Sequence, residues 1–295
     1  MENNKQDLMR CIQNKFHRLS KGQKRIAEYI LKHYDKAAFL TADKLGNSVG
    51  VSESTVVRFA SELGFSGYPK LQKSLQELIK NKLTTVQRIE LSNDFMTQES
   101  ALKGVLRADM ENIRATLEKI NHQTFEDVVN SLFKARKIYI IGLRGSSALA
   151  EFLAFYLNLI LDNVKVVAYG VSDIFEQMLN IDEQDMLIGI GFPRYATRTV
   201  EALAFARSKK ANIVAITDSL LSPLATNANY TLIAQSNITS FVDSLVAPLS
   251  VINALIIAVG LREKEKISKT FSTLEDIWEE YNVYSLKDRD EKYPV

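Results

Sequence analysis

Arg194 and Arg198 flank a Tyr-Ala-Thr triplet in the stretch GFPRYATRTVEAL, with Thr197 and Thr199 beside them. Two fixed positive charges and two hydroxyls thus gather where a helix begins. A helix N-terminus already offers free backbone N–H groups, and arginine forks match the oxygens of a phosphate or carboxylate. The chemistry this suits is the holding of a small anion. A second stretch, IIGLRGSSALAEF, allows a tight turn at Gly142 and Gly145, adds the charge of Arg144, and sets Ser146 and Ser147 at the start of the next helix. A glycine turn with capping serines would look the same, so this loop alone decides nothing. A third stretch, ITDSLLSPLATNA, brings Asp218 and Ser219 to a strand end, where they could meet a ligand hydroxyl, while Ser222 before Pro223 reads as a helix cap.

Near the N-terminus a different chemistry is written. In VSESTVVRFASELGF, Val56, Phe59, Ala60 and Leu63 share one helical face, and Ser52, Glu53, Ser54, Thr55 and Arg58 fall at the N-terminus or on the outer face. Ser52 is placed to cap this helix, Thr41 to cap the preceding one, and Gly50 and Gly64 to end them. Two short helices with a glycine turn match the helix-turn-helix pattern. Hydroxyls and free N–H groups at such an N-terminus suit backbone phosphates, and arginine can grip a guanine edge in the major groove. Lys21, Lys24, Arg25, Lys70 and Lys73 would add phosphate contacts that salt weakens. A solvated polar face on a helical bundle would share the same periodicity.

These stretches need scaffolds of two kinds. Residues 1–80 read as short helices and 81–98 as a polar, weakly patterned linker. Residues 99–120 read as a helix with Leu102, Val105, Leu106, Met110, Ile113 and Leu117 on one stripe, able to carry a signal between domains or to cap the next one. The runs 137–142, 164–170, 185–191, 212–218 and 230–234 are apolar and β-branched, with helical segments at 147–161, 173–180, 197–209 and 222–228 between them. That alternation predicts a parallel sheet with helices on both faces. An apolar helix (244–262), an amphipathic one (265–283) and a tail (284–295) complete the chain.

Composition agrees with two globular domains: 295 residues, 46% hydrophobic, 24% charged. Residues 1–82 carry 15 basic against 8 acidic groups, a balance of +7, which leaves −5 on the remainder of a chain whose net charge is +2. One part is therefore suited to a polyanion and the other is not. A lone cysteine, Cys11, and three scattered histidines (His17, His33, His122) give no disulfide framework and no metal cluster, so no metal or other cofactor is expected. The N-terminus has no signal-peptide core, and the longest apolar run, Leu245 to Leu261, contains Pro248, Ser250 and Asn253 and suits a buried or subunit-interface helix. The expected setting is soluble and cytoplasmic, with no membrane partner.

The run LSKGQKRIAEYIL…AAFLTADKLGNSVGVSESTVVRFASELGFSGYPKLQKSL resembles the N-terminal DNA-binding domain of RpiR-type transcriptional regulators over about 60 residues. Residues 125–260 resemble the sugar isomerase (SIS) domain that follows it in that family. The resemblance implies an all-α helix-turn-helix domain (1–80), then an α/β SIS-type three-layer domain with leading and trailing helices (99–283). It also implies a double-stranded operator and a phosphosugar ligand. Family members carry Gly-x-Gly-x-Ser in the first loop and Ser-x-Ser-Gly-x-Thr in the second. Here Gly142 and Ser146 keep the first pattern but Arg144 replaces its second glycine; Gly191 stands in place of the first serine of the second, while Thr199 and Glu201 keep their places.

Three roles are open to the second domain. As an isomerase it would need a base at C1/C2, for which Glu201, Asp243 and Glu151 are candidates and His122 is poorly placed. As a sensor it would bind without turnover and shift a homodimer or homotetramer between arrangements that differ in operator affinity. Without a ligand it would serve dimerisation only. Sensing is the reading adopted.

Overall fold

The computed structural model describes residues 3–79, 85, 86, 88, 89, 101–237 and 241–284. Its contacts divide it into two units: Met1–Arg114 with Phe192–Tyr195 and Ser236–Leu245, and Ala115–Gly191 with Ala196–Gln235 and Val246–Val295. The stretch read as a linker lies outside the described residues except for 85, 86, 88 and 89, which are helical, and so does the tail beyond 284.

The first unit opens with α1 (Asn3–Lys15), α2 (Lys21–Lys32), the single turn α3 (Tyr34–Ala37), α4 (Ala42–Val49), α5 (Glu53–Glu62) and α6 (Tyr68–Ile79). Ser20 and Gln23 close a capping box on α2, and Thr41 Oγ1 accepts from Lys44 N at 3.2 Å to start α4. The α4–α5 turn is very tight. Gly50 takes the left-handed conformation (φ 68°), and the Val51 N–H returns to Gly46 O at 2.9 Å. A Cβ on Gly46 would sit 2.7 Å from Val51 O, so this close approach of backbone requires glycine. The apolar faces meet as their spacing predicts: Val56, Phe59 and Ala60 of α5 are fully buried with Ile26, Ile30, Leu45, Leu71 and Leu75. Each such aliphatic or aromatic side chain contributes about 1.5–3 kcal/mol. From α6, Tyr68 Oη and Gln72 Nε2 both donate to Leu40 O, and Gln76 Nε2 donates to Ala38 O, satisfying carbonyls left open after α3. Burial also pushes the Tyr68 phenol pKa up, so this donor keeps its proton.

The boundary between the units falls within α7 (Ala101–Lys119). Its buried residues are Asn112, Ala115 and Thr116. Asn112 Oδ1 accepts from Asn237 N, and Thr116 Oγ1 accepts from Gln235 N. The apolar stripe read from the sequence is not core. Leu102, Leu106, Met110 and Leu117 are each more than half exposed.

The second unit continues through α8 (His122–Lys134), β1 (Ile138–Gly142), α9 (Ser147–Ile160), β2 (Val164–Val167), the short α10 (Ile174–Gln177) and β3 (Met186–Ile190). It then runs through α11 (Thr197–Ser208), β4 (Asn212–Thr217), β5 (Tyr230–Ile233), α12 (Val246–Arg262) and α13 (Lys264–Glu280). Each of the five apolar runs forms a strand, all pairings are parallel, and the order is β2-β1-β3-β4-β5. Two expected helices are much shorter than their spans: 173–180 yields only α10, and 222–228 only a 3-10 turn, Ala225–Asn227. There Ser222 Oγ takes the Ala225 N–H and Pro223 O takes the Asn227 side chain. The apolar α12 packs on α9 and buries Ala247, Val251, Ile252, Leu255 and Val259, leaving Ile257 and Leu261 exposed. Arg136 grips the carboxylate of buried Asp185 through Nε (3.0 Å) and Nη2 (2.6 Å), tying the start of β1 to the start of β3.

Ser52 sits at the N-cap position of α5, but its hydroxyl does not cap. Its Oγ lies 3.0 Å from Ser54 Oγ and 2.9 Å from Thr55 Oγ1 instead. Equilibrium denaturation should separate the two caps. Thr41→Ala is expected to cost about 1 kcal/mol, as a working cap does, and Ser52→Ala only a few tenths.

Candidate functional site

Two groups of residues were singled out by their chemistry, one in each part of the sequence. At the start of α5, Ser52, Glu53, Ser54 and Arg58 are exposed, Thr55 is half-buried, and Lys70 is exposed near the start of α6. The Arg58 Nε donates to Ser54 O at 3.2 Å, which leans the guanidinium back over the first turn of α5. The hydroxyls of Ser52, Ser54 and Thr55 form one connected cluster. The buried face of the same helix holds it rigidly, and Lys15 Nζ donates to Glu62 O at its C-terminus, a favourable site for a cation. The outer face therefore presents hydroxyls, a carboxylate and an arginine on a fixed helix.

In the second unit the parallel sheet sends the loops after β1, β3 and β4 out at one edge. Gly142 ends β1 against the backbone of the turn, where a Cβ would lie 2.5 Å from Ser146 O. Arg144 follows with φ 58°, a left-handed conformation that glycine adopts freely and that costs other residues about 1–2 kcal/mol. Arg144 thus holds a backbone shape that glycine would adopt without strain. Ser146 is buried at the N-cap position of α9 without a side-chain cap bond, and Ser147 is half-buried at the first position of α9.

At the third loop Gly191 lies against Leu224. Its Cβ would sit 2.9 Å from Leu224 Cδ2. Beyond it, α11 begins at Thr197 after Ala196, which supplies no side-chain cap. Thr197 is exposed. The guanidinium of Arg198 is engaged along its own unit, with Nη1 on Glu201 (3.3 Å), Nη2 near Asp173 (3.5 Å) and its plane over Phe175 (5.4 Å). Thr199 is 1% exposed, and its Oγ1 has no hydrogen-bond partner. A buried hydroxyl without a partner costs about 1–3 kcal/mol, and such atoms are rare. Asp218 is buried after β4, beside Thr217.

Arg194 belongs to the first unit and is not grouped with Thr197 and Arg198. It too is left-handed, at φ 64°, and its Nη1 donates to Thr85 Oγ1 at 2.6 Å. Two residues here were not anticipated. Thr85 and Arg88 come from a polar stretch whose lack of apolar period gave no signal. Arg88 is 3% exposed in its side chain and donates Nη1 to Asp243 Oδ1 at 2.9 Å.

The fold and these loops define a class: a helix-turn-helix unit followed by an SIS-type α/β domain. Residues 6–82 match the helix-turn-helix domain of the rpiR family, and residues 131–258 match the SIS domain. The chain belongs to the RpiR family of helix-turn-helix transcriptional regulators with a C-terminal SIS domain. An uncharacterized HTH-type transcriptional regulator of Haemophilus influenzae is 28% identical over 233 residues, 77% of this chain and 79% of that one. The HTH-type transcriptional regulator HexR of Escherichia coli is 25% identical over 289 residues, 93% of this chain and 95% of that one. Among solved structures, the sugar isomerase domain of an RpiR transcription factor from Sphaerobacter thermophilus covers 60% of this chain and 99% of its own, at 28% identity and a TM-score of 0.58. The Vibrio vulnificus NanR protein, complexed with ManNAc-6P, covers 92% and 98% at 19% identity and a TM-score of 0.53. Among the described residues, no single helix is long and apolar enough to cross a membrane.

Proposed function

We propose that this regulator senses a small anionic metabolite of the phosphosugar class through its SIS domain, binds it without turnover, and so alters its hold on an operator. One observation carries the reading: the buried, unpartnered Thr199 hydroxyl at the uncapped N-terminus of α11. A helix N-terminus favours negative charge, and an anion there would supply the acceptor that Thr199 lacks. Ser146 and Ser147, at the start of α9, are the complementary hydroxyls, with Arg144, Thr197 and Asp218 around the same sheet edge. The SIS-domain neighbour NanR, solved with ManNAc-6P, supports a phosphosugar as the ligand class.

Two of the three carboxylates that an isomerase could use as base are engaged elsewhere: Glu201 pairs with Arg198 and Asp243 with Arg88, which supports binding over catalysis. On the DNA side, Ser52, Ser54, Thr55 and Lys70 are assigned to phosphates, and Glu53 and Arg58 to base edges.

The exposed stripe of α7 favours a paired state. Leu106, Met110, Ile113 and Leu117 follow the 4-3-4 spacing of a coiled-coil seam, and three basic groups (Lys103, Arg107, Arg114) and two acidic ones (Glu111, Glu118) line its flank. A second copy of the same helix offers complementary charge and the same apolar teeth. Paired operator half-sites require such a dimer.

Three measurements follow. Thr199→Val is expected to leave the unliganded melting temperature unchanged or higher, since the unpaired hydroxyl is gone. It should weaken sugar-phosphate binding roughly 10- to 100-fold, the value of a hydrogen bond to a charged group; full retention of the thermal shift would remove α11 from the site. Duplexes selected from a random pool by the wild-type protein should bind Arg58→Ala more weakly by about 1–3 kcal/mol, with base preference lost at one position. A uniform, salt-dependent loss would make Arg58 a phosphate contact. Light scattering of Leu106→Asp with Ile113→Asp should report half the wild-type mass, and an unchanged mass would place the interface elsewhere.

A further inference from the structure

Arg88 is a buried cation. Its side chain is 3% exposed, and of its three nitrogens only Nη1 has a partner, Asp243 Oδ1 at 2.9 Å. Nε and Nη2 are buried and have none. These two nitrogens lie on the same edge of the guanidinium plane and present parallel N–H bonds. That edge is the fork that carboxylates and phosphates fill with two oxygens. Asp243 is 39% exposed, so water screens the one countercharge present. A buried cation with at least three of its five N–H donors unmet is strongly destabilising unless a further partner completes it.

The surroundings hold its one partner in place. Asp243 sits on a segment pinned by Ser236 Oγ to Ser244 O (2.8 Å), by Ser244 Oγ to Asp109 Oδ1 (2.6 Å), and by Asn237 N to Asn112 Oδ1 (3.1 Å). A second cation is held nearby in the sequence: Thr85, three residues before Arg88, accepts from Arg194 Nη1 at 2.6 Å. Among the described residues, the carboxylates linked to this group are Asp243 and, through Ser244, Asp109.

We infer that the Nε–Nη2 edge of Arg88 is an oxyanion-binding site, taking a phosphate or carboxylate group in a bidentate grip. The site extends the anionic-ligand reading above but rests on a different residue. In the sequence it lies nine residues beyond the end of α6, between the DNA-binding helices and the SIS domain. A sensor needs a differential contact if ligand is to change operator affinity.

The test uses the full-length protein and two simple probes, inorganic phosphate and acetate, against sodium chloride at matched ionic strength, read by scanning calorimetry. The wild-type protein is expected to show saturable stabilisation by phosphate or by acetate, and which one acts tells a phosphoryl from a carboxylate. Arg88→Lys keeps a charge for Asp243 but loses the fork, and should lose that stabilisation. Arg88→Met should lose it too, with an unliganded melting temperature no lower than wild type, because the unmet donors are gone. An ordinary structural ion pair predicts the reverse: a lower melting temperature and an unchanged anion response. If Arg88→Met fails to fold, Arg88→Lys alone decides. Thr199→Val separates the two readings. Loss confined to Thr199→Val would overturn the Arg88 site and keep the α11 one, and loss confined to the Arg88 variants would do the opposite. Equal responses in wild type and both Arg88 variants, or no stabilisation beyond sodium chloride, would end the inference.

Discussion

All five strands of the sheet run in one direction, and most of the site follows from that. Parallel neighbours cannot be joined by a hairpin, so each connection crosses a face of the sheet and every strand ends at the same edge. In the order β2-β1-β3-β4-β5 the chain leaves β1 toward β2 on one side and returns past it to β3 on the other. The loops after β1 and β3 therefore diverge from adjacent strands, the arrangement that opens a crevice in sheets of this kind. Gly142 is required there because the turn folds back on Ser146 O, and Gly189 because Leu203 packs onto the strand where a Cβ would stand. Packing demands of the sheet, before any ligand, determine where Ser146, Thr197 and Thr199 can be.

Within that frame two loops carry arginine at strained backbone positions. Arg144 occupies a left-handed conformation that glycine adopts freely, and Arg194 repeats this in the loop after β3. Gly191 lies against Leu224, whose Cδ2 a Cβ would approach to 2.9 Å. The two arginines set fixed positive charge close to strand ends.

Much of the fold was legible in the sequence because it rests on periodicity. The five β-branched runs became five strands, and Val56, Phe59 and Ala60 became core, since spacing alone decides which face is apolar. Spacing does not say what covers that face, which is why the stripe from Leu102 to Leu117 could be read and its exposure could not. Side-chain choices between equivalent partners were also hidden. Ser52 stands where a cap should be, yet its hydroxyl turns to Ser54 and Thr55. Arg198 looked free for an anion, but Asp173 and Phe175 come from another segment to meet it. Arg88 was invisible altogether: a single arginine in a polar stretch carries no mark of burial.

The treatment of buried polar groups elsewhere in the molecule sharpens the meaning of the unmet ones. Asp185, 1% exposed, receives Arg136 Nε and Nη2 and the Asp182 N–H, so a structural buried charge in this chain is saturated with donors. Gln235, also buried, takes part in bonds with Thr116, Asp218 and Lys119. Tyr68 finds Leu40 O. Against that practice, the unpartnered buried side-chain atoms among the described residues are Arg88 Nε, Arg88 Nη2 and Thr199 Oγ1. All three can donate, two of them from a cation, and the Thr199 hydroxyl can also accept. An oxyanion only accepts, so it would satisfy each of them as a donor.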